Sequence, residues 1–348
     1  MPVHAYYNPQ NHGPYEHYAL GDLLLISGQT LRDCELAVAT YGQLNAAKDN
    51  AILIPTWYSG TSRIIHDVFV GSGRPIDPEK YFIIIVNQLG SGLSSSPHNT
   101  AEPQARGRFP AIAVADDVSA QERLVTEVFG VNQLALVMGG SMGAQQAYEW
   151  AVRFPARVRR LAAIAGTART SEVNQLIAEA ILHSLRSDPA FCAGDYRSAS
   201  DLSAGLVQHA RLMTLHGLSP AFFEQQHYRA LGFNSVAAFV EGFMTPYFAP
   251  MDPNALITQL EKWRTADAGH LCNGDLPAAL ARITARTLVL PIQQDLYFPP
   301  AACEADARLI KGAHYQALSC PYGHLGLFAM DAQWLAQVDE ALRALLDE

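Results

Sequence analysis

Short, nearly continuous apolar runs punctuate the chain at residues 51–56 (AILIPT), 81–86 (YFIIIV), 134–138 (LALVM), 161–164 (LAAI) and 287–291 (TLVLP). Each is too short for a typical helix and is bounded by turn residues. Such runs fit strands covered on both faces, as in a parallel sheet. Residues 34–41 (CELAVATY) alternate instead, in the manner of a strand with one wet face. A last strand is predicted over residues 314–319, ahead of a loop at 320–324. Residues 59–80 are rich in Gly, Pro and Asp and read as loop.

Helical spacing alternates with these runs. One helix is predicted over residues 115–129. Another covers 142–154, where Ala147, Trp150, Ala151 and Phe154 share a face. A further helix follows Pro299 and Pro300, and a closing helix covers 331–346. Strand, helix, strand in this rhythm implies right-handed βαβ units and an α/β fold class. The rhythm stops between residues 170 and 280, where helical stretches at 172–184, 204–215, 236–247 and 254–266 take over. The predicted organisation is a core over residues 1–169 and 281–348, interrupted by a helical lid at 170–280. No internal repeat or low-complexity tract is visible.

Composition narrows the function classes. The 348 residues suffice for one large domain, or a core with an insertion. With 49% apolar and 16% charged residues, the chain suits a compact fold and not a disordered one. A net charge of −9 removes the counterion-release term behind most nucleic-acid binding. The short basic run Arg157, Arg159 and Arg160 reads as a solvated helix end. No apolar stretch approaches the roughly 20 residues of a membrane span. Residues 1–11 lack the basic start and apolar run of a secretory leader. Cys34, Cys192, Cys272, Cys303 and Cys320 form no CxxC pair, which argues against a disulfide framework or zinc site. The expectation is a cytoplasmic protein with no metal, no cofactor, and no nucleic-acid or membrane partner.

Candidate chemistry enters at Gly139-Gly140-Ser141-Met142-Gly143. The pattern GxSxG is weak alone. Its setting strengthens it, because a buried strand is predicted directly before it and a helix directly after. That is the nucleophile elbow of an α/β-hydrolase fold, a strained turn that stands the serine hydroxyl at the carboxyl edge of the sheet. Serine needs a base to take its proton, and base and orienter should follow in the order Ser, Asp, His. Asp295 lies just past one predicted strand and His324 just past the last, where open α/β sheets place their sites. His324 is predicted to be the general base and Asp295 its orienter. Asp306 and Asp331 compete for the acid, while His270 and His314 are less well placed for the base. The oxyanion hole needs two backbone donors. Met142 N–H is one, and Tyr58 N–H is predicted as the other, with Trp57 next.

These residues also resemble a known family. The stretch GGSMGAQQAYEWAVRFP is similar to the elbow of the homoserine O-acetyltransferase family, usually GGSMGGMQALEWA followed by Tyr-Pro or Phe-Pro. The likeness extends to YFIIIVNQLGSGLSSSP, FPAIAVADDVSAQ and DLYFPP, and to Gly323-His324 near the end. It implies an α/β-hydrolase with a helical lid, an acyl-enzyme on serine, and homodimers formed through lid helices.

Departures from that family bear on the substrate. In its true transacetylases an Asp follows the catalytic His and is thought to meet the amino group of homoserine; here Leu325 follows. Their lid also carries a Tyr-Arg pair for the substrate carboxylate, and the matching stretch here has Leu215 and His216. Arg211, one turn earlier, is a candidate replacement. Ala144 stands for a family glycine. A zwitterion in a closed pocket needs both charges paired, or several kcal/mol are lost. The resemblance is therefore closer to the esterase branch, with Trp57, Leu325 and Arg211 as pocket candidates. The leading expectation is hydrolysis of short acyl esters, with water replacing homoserine. The alternative is an acyl-CoA-dependent O-acetyltransferase using acetyl-CoA as co-substrate, for which a carboxylate near the pocket would have to replace the missing Asp. A non-catalytic receptor on this fold is a third class, disfavoured by the complete set of Ser141, Asp295 and His324.

Overall fold

The computed structural model describes residues 5–347. Its strands are β1 (Glu16–Leu24), β2 (Thr30–Tyr41), β3 (Ala51–Pro55), β4 (Phe82–Val86), β5 (Leu136–Gly140), β6 (Arg160–Ile164), β7 (Arg286–Leu290) and β8 (His314–Tyr315). They form one sheet in the order β1-β2-β4-β3-β5-β6-β7-β8. β1 and β2 pair antiparallel, β2 joins β4 antiparallel, and every later pairing is parallel. Helices cover both faces, which is why β3 (AILIP) and β5 (LVMGG) are buried at every position. The α/β fold class expected from the strand rhythm is the one observed.

Three elements differ from the sequence reading. β1 is absent from it. Only Leu20 and Leu23 of this strand are buried, and register shifts on either side of Gly21 break its alternation. Within the segment read as loop, Ser62–Phe69 forms a helix. Its Ile65, Val68 and Phe69 are buried, whereas the Gly, Pro and Asp residues cluster after it. The last strand is only His314–Tyr315, continued by an isolated bridge between Ile292 and Leu318.

Between β6 and β7 the described residues form helices and one isolated bridge, Arg169 with Asp267. The longest helices there are Glu172–Arg186, Ser203–Gly217 and Pro253–Arg264. The first packs against the other two. Ser171 caps Glu172–Arg186 through the Asn174 N–H, and Asp252 caps Pro253–Arg264 through the Ala255 N–H. No described helix is long and apolar enough to cross a membrane.

Candidate active site

Ser141 joins β5 to the helix Met142–Arg153 with φ 54° and ψ −125°. A side chain held there costs on the order of 1–3 kcal/mol, sustained only by its surroundings. Those surroundings explain the glycines. A Cβ on Gly139 would run into the backbone of Gly143, and one on Gly143 would stand 2.6 Å from the carbonyl oxygen of Pro55. Gly166, at the end of β6, is needed too, because its Cβ would lie 2.7 Å from the Ser141 carbonyl oxygen.

Oγ of Ser141 lies 2.9 Å from Nε2 of His324. The other ring nitrogen, Nδ1, lies 2.7 Å from Oδ2 of Asp295. Oδ1 of Asp295 accepts the backbone N–H groups of Tyr297 and Phe298 at 2.8 and 3.1 Å. All three side chains are buried. The structure therefore brings together the three residues predicted from chain order and from their places just past strands. The competitors lie elsewhere. Asp306 accepts the Ala168 N–H, and burial pushes its carboxyl up to about 6. Asp331 holds the start of the closing helix through Gln333 and Trp334. His270 faces Glu149 at 2.9 Å, and His314 is exposed.

Met142 opens its helix, so its N–H has no intrahelical acceptor. Trp57 and Tyr58 line the same cavity as Ser141 and Met142. The carbonyl of Trp57 accepts the Gly60 N–H at 3.2 Å, closing a turn. The Trp57 and Tyr58 N–H groups find no hydrogen-bond acceptor among the described residues. Both candidates for the second oxyanion donor thus line the serine's cavity.

The cavity beside Ser141 measures about 60 Å³. Its walls are apolar and aromatic: Trp57, Met213, Tyr247, Trp263, Leu325 and Phe328 contribute most of the character. No Asp, Glu, Lys or Arg lines it among the described residues. Leu325 and Trp57 stand where the sequence reading placed them. Arg211 does not: it is exposed on the outer face of its helix, while His209, Ala210 and Met213 occupy the inner face. Leu215 is likewise 58% exposed. Helical periodicity explains the correction, since Arg211 lies about 200° around the helix from Met213.

Met213, Tyr247 and Trp263 do not stand out in the sequence. Helices in the region read as lid carry apolar residues on several faces, so periodicity does not show which face meets the serine. A buried polar network is equally hidden. Lys262 is fully buried, with Nζ 2.6 Å from Oδ2 of Asp117, 3.0 Å from Oε1 of Gln88 and 2.8 Å from the Leu89 carbonyl. Burial pushes the Lys262 ammonium down and the Asp117 carboxyl up, and each partner opposes the other's shift.

The chain belongs to the alpha/beta hydrolase fold family, whose model matches residues 52–328. It is similar to an ethyl acetate hydrolase of Pseudomonas veronii, 52% identical over 344 residues and covering 99% of both chains. The monoclinic structure of the acetyl esterase MekB matches with TM-score 0.98 at 51% identity, over 99% of this chain and 100% of that one. A homoserine O-succinyltransferase of Burkholderia mallei is 30% identical over 360 residues, covering 92% of this chain and 93% of that one. The chain thus lies in the esterase branch of the homoserine acyltransferase-like group, as its motifs imply, and it is an enzyme of the ester-hydrolase class.

Proposed function

We propose that this enzyme hydrolyses short acyl esters of the acetate type through an acyl-enzyme on Ser141. The observation that carries the reading is the hydrogen-bonded series Ser141, His324, Asp295 opening into a small cavity with no charged wall. His324 Nε2 takes the proton as Ser141 Oγ attacks the ester carbonyl, and Asp295 orients the ring and stabilises the imidazolium. Met142 N–H and the N–H of Tyr58 or Trp57 receive the developing oxyanion. Collapse breaks the carbonyl–alkoxy bond, and the leaving alcohol takes the proton from His324. Water then attacks the acyl-enzyme, with His324 again as base, releasing the acid and free Ser141.

The cavity's chemistry supports an uncharged substrate. Leu325 presents an alkyl surface next to His324, and Arg211 faces away, so neither charge of homoserine meets a partner. The small cavity suits a short acyl group. The reading uses water and the chain's own groups, with no metal, cofactor or nucleic acid, in a cytoplasmic setting. The segment 170–280 serves as lid over a core of 1–169 and 281–348. Homodimerisation belongs to the same reading: Val173, Leu176 and Leu215 are exposed apolar residues on helices of that segment.

The test offers purified protein ethyl acetate, and separately acetyl-CoA with homoserine. Acetate release from the ester should dominate. Homoserine-dependent thiol release that outpaces ester hydrolysis would instead establish the O-acetyltransferase alternative.

A further inference from the structure

The oxyanion loop, residues 56–60, is tied to the helical insertion directly by Tyr247, His209 and Leu256 and indirectly by Lys262. Tyr247 donates its hydroxyl to the Ser59 carbonyl at 2.9 Å. The Tyr58 hydroxyl lies 3.3 Å from Nε2 of His209, a ring whose pKa burial lowers to about 3. The Tyr58 hydroxyl also faces the Leu256 carbonyl at 3.5 Å, and the link from Lys262 is indirect and acts on the peptide group itself. Nε2 of Gln88 donates to the Thr56 carbonyl at 2.5 Å, and Nε2 of Gln146 approaches the same oxygen at 3.4 Å. The Thr56 hydroxyl oxygen accepts the Gln88 N–H at 3.3 Å.

We infer that Lys262, acting through Gln88, is a positioning residue that aims the oxyanion loop's N–H donors at the reacting carbonyl. The inference rests on the serine-esterase reading. A side-chain amide offers either an oxygen or an NH2 to a neighbour. The Lys262 ammonium claims the oxygen of Gln88, so only the NH2 is left to face Thr56. The Thr56 carbonyl and the Trp57 N–H belong to one planar trans peptide and point in opposite directions. Holding the carbonyl therefore aims the N–H. The following peptide, which carries the Tyr58 N–H, is held in turn by the Gly60 N–H on the Trp57 carbonyl. Without Lys262 the amide is free to rotate, and its oxygen against the Thr56 carbonyl would repel it.

The cost of the arrangement points the same way. A buried Lys–Asp pair is seldom better for stability than apolar residues of the same volume. Lys262 and Asp117 are exposed by only 0% and 1%. The pair sits where one of its hydrogen bonds reaches the side chain that holds the oxyanion loop. Asp117 acts in parallel, because its Oδ1 accepts the Leu89 N–H at 2.8 Å and so fixes the residue next to Gln88.

The test uses two variants of the full chain. Gln88→Leu removes the donor to Thr56 and leaves the ion pair whole. Lys262→Met combined with Asp117→Leu removes both charges together and strands neither. For each, kcat and KM are measured with p-nitrophenyl acetate. Inhibition is compared for a trifluoromethyl ketone, which binds serine as a tetrahedral oxyanion, and a planar methyl ketone. Loss of one oxyanion donor costs roughly 10²–10³ in kcat, so a misaimed donor should cost about 10- to 100-fold. We expect that loss in kcat with KM within twofold. Affinity for the trifluoromethyl ketone should weaken by the same factor, and the methyl ketone should be unaffected. Unchanged kcat and trifluoromethyl ketone affinity would overturn the inference, as would equal weakening of both ketones, the mark of a merely structural role. If the double variant does not fold, Lys262→Met with Asp117→Asn, which keeps an acceptor for the Leu89 N–H, takes its place. The underlying reading is checked separately by Ser141→Ala: turnover near the wild-type rate sinks the acyl-enzyme, whereas its loss with unperturbed Gln88 and Lys262 variants sinks only the role of Lys262.

Discussion

Asp295 Oδ2 stands 2.7 Å from Nδ1 of His324, while its other oxygen is held by the backbone of Tyr297 and Phe298. The carboxylate therefore has a fixed orientation and presents a single acceptor to the ring. With Nδ1 donating to it, Nε2 is left as the acceptor that faces Ser141 Oγ.

Asp295→Asn tests that arrangement. The asparagine oxygen would keep the two backbone N–H groups and turn its NH2 toward Nδ1. Histidine would then carry its proton on Nε2 and be unable to take one from Ser141. We expect kcat for p-nitrophenyl acetate to fall by about 10³–10⁴ at pH 7.5, with little change in KM. A loss of less than tenfold would count against Asp295 as the orienter.

The backbone at Ser141 makes a prediction about stability. Glycine tolerates φ near 54°, whereas serine and alanine do not. Ser141→Gly should be inactive yet more resistant to urea by about 1 kcal/mol, the strain released less the extra freedom of unfolded glycine. Ser141→Ala should be inactive with no such gain. Equal stability of the two variants would show that the turn stores no strain.

Asp306 predicts how stability varies with pH. Burial raises its carboxyl to about 6 in the folded state, against about 3.9 when unfolded. The folded state holds that proton more tightly. Its contribution is therefore complete below about pH 3.9 and is lost as pH rises through 6, a change of about 3 kcal/mol. Asp306→Asn keeps an oxygen for the Ala168 N–H and removes the titration. Urea unfolding should show the variant gaining about 2 kcal/mol on the wild type between pH 4.5 and pH 8. A constant difference across that range would contradict the assignment.

Leu325 tests the chemistry of the cavity. It is 6% exposed and has no cationic neighbour in the cavity wall. A carboxylate there would be buried and unpaired, at a cost of several kcal/mol. Leu325→Asp should lower urea stability by about 2–4 kcal/mol at pH 8, and by less at pH 5, where protonation relieves the charge. Its kcat/KM for ethyl acetate should fall at least tenfold. Unchanged turnover would mean that the alkyl group does not pass Leu325.

Much of the core is legible from residues alone, for definable reasons. β3, β4 and β5 are covered on both faces, so their apolar runs are continuous and need no alternation to be seen. Ser141, Asp295 and His324 each lie close after a strand, so placing the strands places the residues. β1 is illegible because its pairing slips around Gly21 and most of its side chains are exposed. The helix at Ile65 and Phe69 is hidden by the turn residues that follow it. Arg211 misleads because, one turn before Leu215, it shares that residue's outward face, and the inward face belongs to His209, Ala210 and Met213. Lys262 is the hardest case. A lone lysine in an amphipathic helix ordinarily means solvent, and its partner Asp117 lies far away in sequence.

The adjacency of β6 and β7 has a consequence for how the molecule is made. Leu161 pairs with Thr287 and Ile164 with Leu290, yet residues 165–285 separate the two strands. Closing so long a loop costs about 4 kcal/mol of chain entropy before the pairing returns anything. β1 through β6 and the serine turn are contiguous, and on the ribosome they emerge first. Asp295 and His324 lie beyond the long detour and dock afterwards. A nascent chain therefore carries its serine in place ahead of the segment that brings Asp295 and His324 to it, and the site is assembled only after that segment has docked.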